Sequence, residues 1–256
     1  MYKYEMHLHT ADVSPCASAT HEHVVRVYHE KGYSGINLTN HWSEYVIYRW
    51  GLEGKSAEEL ADFYIDSYLH LKETAGDKLT VFCGAEITLG RNDYLVYNVD
   101  RDFMVDLGTR FYKLPLEELI RIAHDHGCLI YQAHPFRPWP IVLSPDIFRR
   151  VGEAPSRDKI DGMESINYGS GDYYVNDTAL AWTKAYNLMT TTGSDYHGAG
   201  GRAWGGIYSE CPINTQAELV EILQSGRYAL SLPEDCTPII GEMHPEYRFM
   251  TKKEVK

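Results

Sequence analysis

The 256-residue sequence is short of basic residues: 24 lysines and arginines face 36 aspartates and glutamates, a formal net charge of −12. A chain that binds a nucleic-acid polymer normally carries a basic footprint, and none is visible. A small anionic substrate stays open, because bound cations can reverse the local field. Cysteine is scarce and odd in number, at positions 16, 83, 128, 211 and 236, with no CxxC pair. That excludes a disulfide framework and a thiolate zinc knot, and it points to a reducing, cytoplasmic setting. No apolar run approaches the length that spans a bilayer, and the opening Met1–His9 has no apolar signal core. There is no internal repeat, low-complexity stretch or linker, and no GxGxxG follows the first strand, which weakens a dinucleotide-binding reading. Hydrophobic residues at 44% suffice for a sizeable core, so the expectation is one domain over 1–256, with core motifs in 7–197 and βα elements plus a polar tail in 204–256.

The pattern alternates between strands and helices. Strands are predicted at Tyr2–Leu8, Ser34–Thr39, Leu79–Ile87, Tyr94–Val99, Cys128–Ala133, Ile160–Ile166, Leu188–Thr192 and Tyr228–Ser231. Helices are predicted at Thr20–Lys31, Ser56–Ala75, Pro115–His126, Asp177–Asn187 and Thr215–Gln224. Ser56 with Glu59 and Thr215 with Glu218 have capping-box spacing, and Gly76 and Gly226 follow the helix ends. Repeated βα units imply an α/β fold with a parallel sheet, and about seven such strands in one domain point to a barrel rather than an open sheet.

Acids and imidazoles recur where these strands end: His7 and His9, His41, Glu86, His134, Glu164, and Asp195 with His197. In a barrel these ends converge on one face. Residues i and i+2 of a strand point to the same side, so His7 and His9 can offer two imidazoles to one metal, and Asp195 and His197 repeat the spacing. Imidazole with carboxylate suits zinc, manganese or iron, and Glu86 has two oxygens with which to bridge two ions. Each pair alone has an ordinary explanation as surface or satisfied core side chains; the set is what carries the metal reading. The other histidines, at 21, 23, 29, 70, 124, 126 and 244, fall on helices, helix ends or the tail and are read as solvated or dipole-contacting.

Five segments in order resemble the motifs of the PHP (polymerase and histidinol phosphatase) family. They are His7-Leu8-His9-Thr10, Leu38-Thr39-Asn40-His41, Gly84-Ala85-Glu86-Ile87, Ala133-His134-Pro135-Phe136-Arg137 and Gly193-Ser194-Asp195-Tyr196-His197. The resemblance implies a distorted (β/α)7 TIM-like barrel with two or three divalent ions (zinc, manganese or iron). It implies one ion on His7, His9, Glu86 and Asp195. A second would take His41, His197 and a residue of the loop after His9, and a third Glu86, His134 and one residue after Glu86. Two positions depart from the family pattern. The loop offers Cys16, with Asp12 as competitor, and Asp93 stands where the family often has histidine. Thiolate would favour zinc, and carboxylate a harder ion.

The resemblance also implies hydrolysis of a phosphate ester of a small metabolite by metal-activated water. Arg137 and Arg202 would bind the phosphate, and His197, Asp195 and Arg137 would serve the chemistry. An amidohydrolase-like hydrolase and a non-catalytic metal-binding module are the competing readings. Aromatic residues after the motifs (Trp42, Tyr45, Tyr48, Trp50, Trp139, Tyr168, Tyr173, Tyr174) either stack on a substrate ring or form a loop core or oligomer contact, the latter slightly favoured.

Overall fold

The computed structural model describes residues 1–90, 92–135, 160–169, 176, 179–183 and 187–232, and the backbone of 248–251. The first strand, β1 (Tyr2–Leu8), is buried from Tyr4 onward. Next come α1 (His21–Glu30), β2 (Gly35–Leu38), the two-residue β3 (His41–Trp42), α2 (Glu44–Arg49) and α3 (Ala57–Ala75). They are followed by β4 (Thr80–Leu89), β5 (Asn92–Tyr97), α4 (Arg101–Leu107), α5 (Leu116–Asp125), β6 (Leu129–Gln132), β7 (Gly162–Asn167) and β8 (Met189–Gly193). The described chain closes with β9 (Ile207–Ser209), α6 (Gln216–Ser225), β10 (Tyr228–Leu232) and β11 (Arg248–Thr251). No helix among the described residues is long and apolar enough to cross a membrane.

Helix boundaries follow from local chemistry. Ser56 and Thr215 cap α3 and α6, each with its reciprocal glutamate bond, and Gly226 ends α6 in the left-handed conformation. Thr20 caps α1 through the His23 amide.

The sheet runs β11-β10-β9-β1-β2-β4-β5-β6-β7-β8. Seven of these strands, β1 through β8 without β3, curl into a nearly closed barrel. Past its end, β8 meets β1 through a parallel bridge between Leu8 and Tyr196, and the His9 amide donates to the Tyr196 carbonyl at 2.9 Å. The outer face of β4 and β5 (Cys83, Ala85, Ile87, Tyr94, Val96) packs under α3, α4 and α5 in one apolar cluster. The fold is thus the α/β barrel expected, with one correction. β5 is antiparallel to both β4 and β6, because a connection of two residues at Gly90 permits only a hairpin, whereas a parallel return needs a crossover of a dozen residues. β9 also runs antiparallel, along Tyr2–Tyr4 of β1.

A register shift between Glu5 and Leu8 bears directly on the site. Phe82 and Glu86 share one face of β4 by their even spacing. Tyr4 packs on Phe82, while His7 reaches Glu86 at 3.4 Å. Two β1 residues an odd number of positions apart therefore address the same side, which a bulge accomplishes. Glu5 satisfies the amides there: its Oε1 accepts from Met6 N and His7 N, both at 3.0 Å, and from Ser194 N at 2.9 Å. A second shift lies between Glu164 and Ile166 of β7.

Candidate metal centre

The strand ends bring the candidate ligands together. His7 closes β1 with His9 just beyond; His41 on β3 lies in register with Glu86 on β4; Asp93 sits on β5; His134 follows β6; Asp195 and His197 follow β8. His134 and Asp195 have φ of 25° and 48°, in the left-handed region that L-residues avoid, and such conformations concentrate at functional sites.

Four donor atoms surround one point. His7 Nε2 and His9 Nε2 are 3.0 Å apart. Asp195 Oδ1 lies 3.2 Å from His9 Nε2 and 3.5 Å from His7 Nε2. Glu86 Oε2 lies 3.3 Å from His9 Nε2 and 3.4 Å from His7 Nε2. Zinc holds imidazole nitrogen at about 2.0–2.1 Å in a tetrahedron, whose edges are then about 3.3 Å. The five spacings match that edge length.

Glu86 links this group to two others. Its Oε1 is 2.9 Å from His134 Nε2, and its Oε2 is 2.8 Å from His41 Nδ1. Oε2 is nevertheless buried without a partner in hydrogen-bonding geometry, which is costly for a carboxylate oxygen unless a cation neutralises it. Three sets result, each with its donor atoms within 4.8 Å of one another: His7, His9, Glu86 and Asp195; His9, His41 and His197; Glu86, Asp93 and His134. The residues fit divalent cations.

The electrostatics are those of a site built for positive charge. Burial pushes Glu86 up, but His41 and His7 outweigh it and hold the carboxyl well below its usual range. Asp195 is likewise raised by burial and pulled well below its usual range by His7 and His9. Burial disfavours charged His7, yet Glu164, Glu86 and Asp195 lift it well above the ordinary value. His9 goes the other way: burial, with His41 and His197 beside it, holds it well below that value, as the neutral imidazole a metal requires. Asp93 is raised by burial and by Glu86.

Access is from one side. His7, His9 and Glu86 have no exposed surface, whereas the side chains of His41 and His197 are 23% and 31% exposed. Cys16 lies at this rim. Crowding around its sulfur pushes the thiol up although the residue is exposed; hydrogen bonds with His197 and His41 outweigh that and bring it to about 6. Asp12 is instead held by His21 at 3.1 Å, and neither Asp12 nor Cys16 belongs to the three donor sets.

Neighbours fix which imidazole nitrogen faces the centre. His7 Nδ1–H donates to Glu164 Oε1 at 2.9 Å, His9 Nδ1–H to Ser14 Oγ at 3.3 Å, and His197 Nδ1–H to the Asp195 carbonyl at 2.9 Å. Each leaves Nε2 free. Glu164 Oε2 also accepts from the His134 amide at 2.9 Å, so one acid orients two ligands. Gly193 leaves room for it: a Cβ there would fall 2.1 Å from Glu164 Oε1. Strand-end position had marked Glu164 but given it no role, and Ser14 and Asn40, which bond each other at 2.8 Å, were missed. Glu164→Gln is expected to weaken metal binding about 10–100-fold while the fold survives, as isothermal titration of the stripped protein and circular dichroism would show.

Other predicted residues fare unevenly. Arg137, Trp139, Tyr173, Tyr174 and His244 lie outside the described residues. Arg202 is exposed and stacks over Trp204, its guanidinium carbon 5.1 Å from the ring centre. Trp42 is not available to a substrate: it is 1% exposed and stacks on Phe111 in the core. Trp50 donates to the Val13 carbonyl at 2.7 Å and Tyr168 to the Ser231 carbonyl at 3.1 Å; Tyr45 and Tyr48 are exposed. His23, His124 and His126 are not merely solvated but pair with Tyr196, Asp161 and Asp106.

No protein-family profile matches this chain, and no curated protein matches its sequence. Solved structures do resemble it. PsfC from Pseudomonas syringae superposes with a TM-score of 0.55 at 17% identity, over 86% of this chain and 87% of its own. A protein from Bifidobacterium adolescentis, provisionally described as a metal-dependent phosphoesterase, gives 0.50 at 15% identity over 86% and 95%. An amidohydrolase from Chromobacterium violaceum gives 0.46 at 12% identity over 90% and 98%, too loose a likeness to bear weight. At such identities the first two speak for the fold alone.

Proposed function

We propose that this chain is a PHP-type metal-dependent phosphoesterase acting on a small, soluble phosphate ester. The observation that carries the reading is the Glu86 carboxylate, set between three donor groups, one of them with the edge lengths of a tetrahedral site. The five motif segments contribute every member of those groups but Asp93, in the order the family has them. The description of the Bifidobacterium protein agrees with this reaction class. When bound, divalent ions would acidify a water and neutralise charge on the phosphate and the leaving oxygen.

The chain's own residues would orient and neutralise. Glu164, Ser14 and the Asp195 carbonyl hold three imidazoles with Nε2 free. The partly exposed His41–His197 side would admit the ester. Arg202, and Arg137 beyond the described residues, are the cations assigned to the phosphate. The net charge of −12 suits a small ester rather than a nucleic-acid polymer.

The test is a screen of phosphomonoesters, phosphodiesters and amides against stripped protein reloaded with manganese or zinc. Phosphate release from at least one ester, with kcat of about 1–10³ s⁻¹, is the expected result. Protein that holds two or three ions yet hydrolyses only amides, or nothing, would contradict it.

A further inference from the structure

Three of the four donors of the tetrahedral set come from one seam of the barrel. His7 and His9 lie at the end of β1 and Asp195 just past β8, and there the two strands meet through the Leu8–Tyr196 bridge. On the N-terminal side of that bridge the seam is held by a side chain. Glu5 is fully buried, belongs to none of the donor sets, and has both carboxylate oxygens engaged. Besides the Met6 and His7 amides, its Oε1 accepts from Ser194 N at 2.9 Å, and its Oε2 accepts from the Ser194 hydroxyl. The direction of that last bond is fixed. Ser194 Oγ also receives the Trp204 amide at 2.9 Å and the Gly205 amide at 2.8 Å, and a hydroxyl has two lone pairs and one proton. The proton is therefore left for Glu5. Gly205 permits this close layering: a Cβ there would fall 2.3 Å from the Gly193 carbonyl carbon.

Ser194 precedes Asp195, whose φ of 48° is strained for an L-residue and persists only where the surroundings over-determine it. The four hydrogen bonds on Ser194 supply that constraint. We propose that Glu5 is a positioning residue for the metal centre: through the His7 amide and through Ser194, one carboxylate sets the spacing of His7 and Asp195, donors from opposite edges of the seam. The proposal rests on the metal-dependent reading above and deepens it, because affinity for the ion then depends on an acid that never touches it. An amide at position 5 cannot do the same. Turned one way, its NH2 group meets the Met6, His7 and Ser194 amides; turned the other, it meets Ser194 Oγ, whose lone pairs are already taken.

The test is zinc affinity of the stripped full chain, measured by isothermal titration against a competing chelator, beside Tm from calorimetry. Glu5→Gln and Ser194→Ala are each expected to bind one zinc equivalent at least about tenfold more weakly. Because the two residues act through one contact, the double variant should lose little more than the worse single one. Thr192→Val is the control. Thr192 Oγ1 is as deeply buried and bonds the same segment, donating to the Gly206 carbonyl at 2.7 Å and accepting from the Gly206 amide at 2.9 Å. Its bonds go to Gly206 and Ser231, not to Glu5 or a metal ligand. That variant should lower Tm yet keep native zinc affinity. Should Glu5→Gln fail to fold, Ser194→Ala alone decides. Native affinity in Ser194→Ala, losses that add in the double variant, or an equal loss in Thr192→Val would each overturn the positioning role while leaving the metal-dependent reading intact. A native chain that binds no zinc would overturn both.

Discussion

Replacing Glu86 by glutamine is expected to leave a folded protein that has lost most of its divalent metal and at least about 10³-fold in kcat/KM toward its ester. The residue is isosteric, so the barrel wall keeps its shape; what goes is one negative charge shared by two donor sets and facing His41 of the third. Glu86 Oε2 faces His41, His9 and His7 within 2.8–3.4 Å, and Oε1 faces His134. An amide cannot present acceptors to both sides, and its NH2 group would oppose the cations directly. Elemental analysis of the purified variant, read beside its phosphate release, checks this. Full metal content with lost activity would mean that Glu86 serves the chemistry without binding ions, and unchanged activity would remove it from the centre.

Stripping the metal from the native chain should lower its Tm by about 8–16 °C for each ion normally held at a thousandfold excess over its Kd. Such an ion adds about 4 kcal/mol, and a chain of this size moves about 2–4 °C per kcal/mol. The loss should grow with pH. In the stripped protein His7 and His41 are held above the ordinary value of 6.5 by acidic neighbours that outweigh burial. Their stabilisation is complete below 6.5 and is lost as pH rises through their raised values. Glu86 and Asp195, held below 4.5 and 3.8, contribute above those values and lose their contribution as pH falls through the lowered ones. The stripped protein is therefore strongest in mildly acidic solution and weakens toward alkaline pH. Bound ions take the place of those protons and hold more tightly as pH rises. The gap in Tm between loaded and stripped protein should widen from about pH 6 to about pH 9, as differential scanning calorimetry can follow. A gap that closes over that range would contradict the assignment.

What could be read from the chain was what depends on short spacing. The HxH and DxH pairs, the strand-end acids and the capping boxes each announce themselves within a few residues, and the histidine and carboxylate candidates for the metal centre fall in the three donor sets, Asp93 included, while Cys16 does not. Contacts made over long distances were illegible. The bulge that turns His7 toward Glu86 depends on pairing of β1 with β2 and on amide acceptors supplied by Glu5. The role of Glu164 depends on His7, 157 positions away. The antiparallel β5 was hidden because a buried strand has the same apolar pattern in either direction. Helix α2 was passed over as an aromatic loop, since Trp42 before it reads as readily as a substrate platform as the core residue it is. Cys16 stood closest to the expected loop position with Asp12 as competitor, and the pairing of Asp12 with His21, made over nine positions, was not foreseen.

The most direct test of the account is anomalous diffraction from crystals of the full chain grown with zinc and manganese. Two or three peaks are expected, one at the point enclosed by His7 Nε2, His9 Nε2, Glu86 Oε2 and Asp195 Oδ1, and another beside His41 and His197. Full-occupancy peaks elsewhere on the surface, with none among those four atoms, would contradict it.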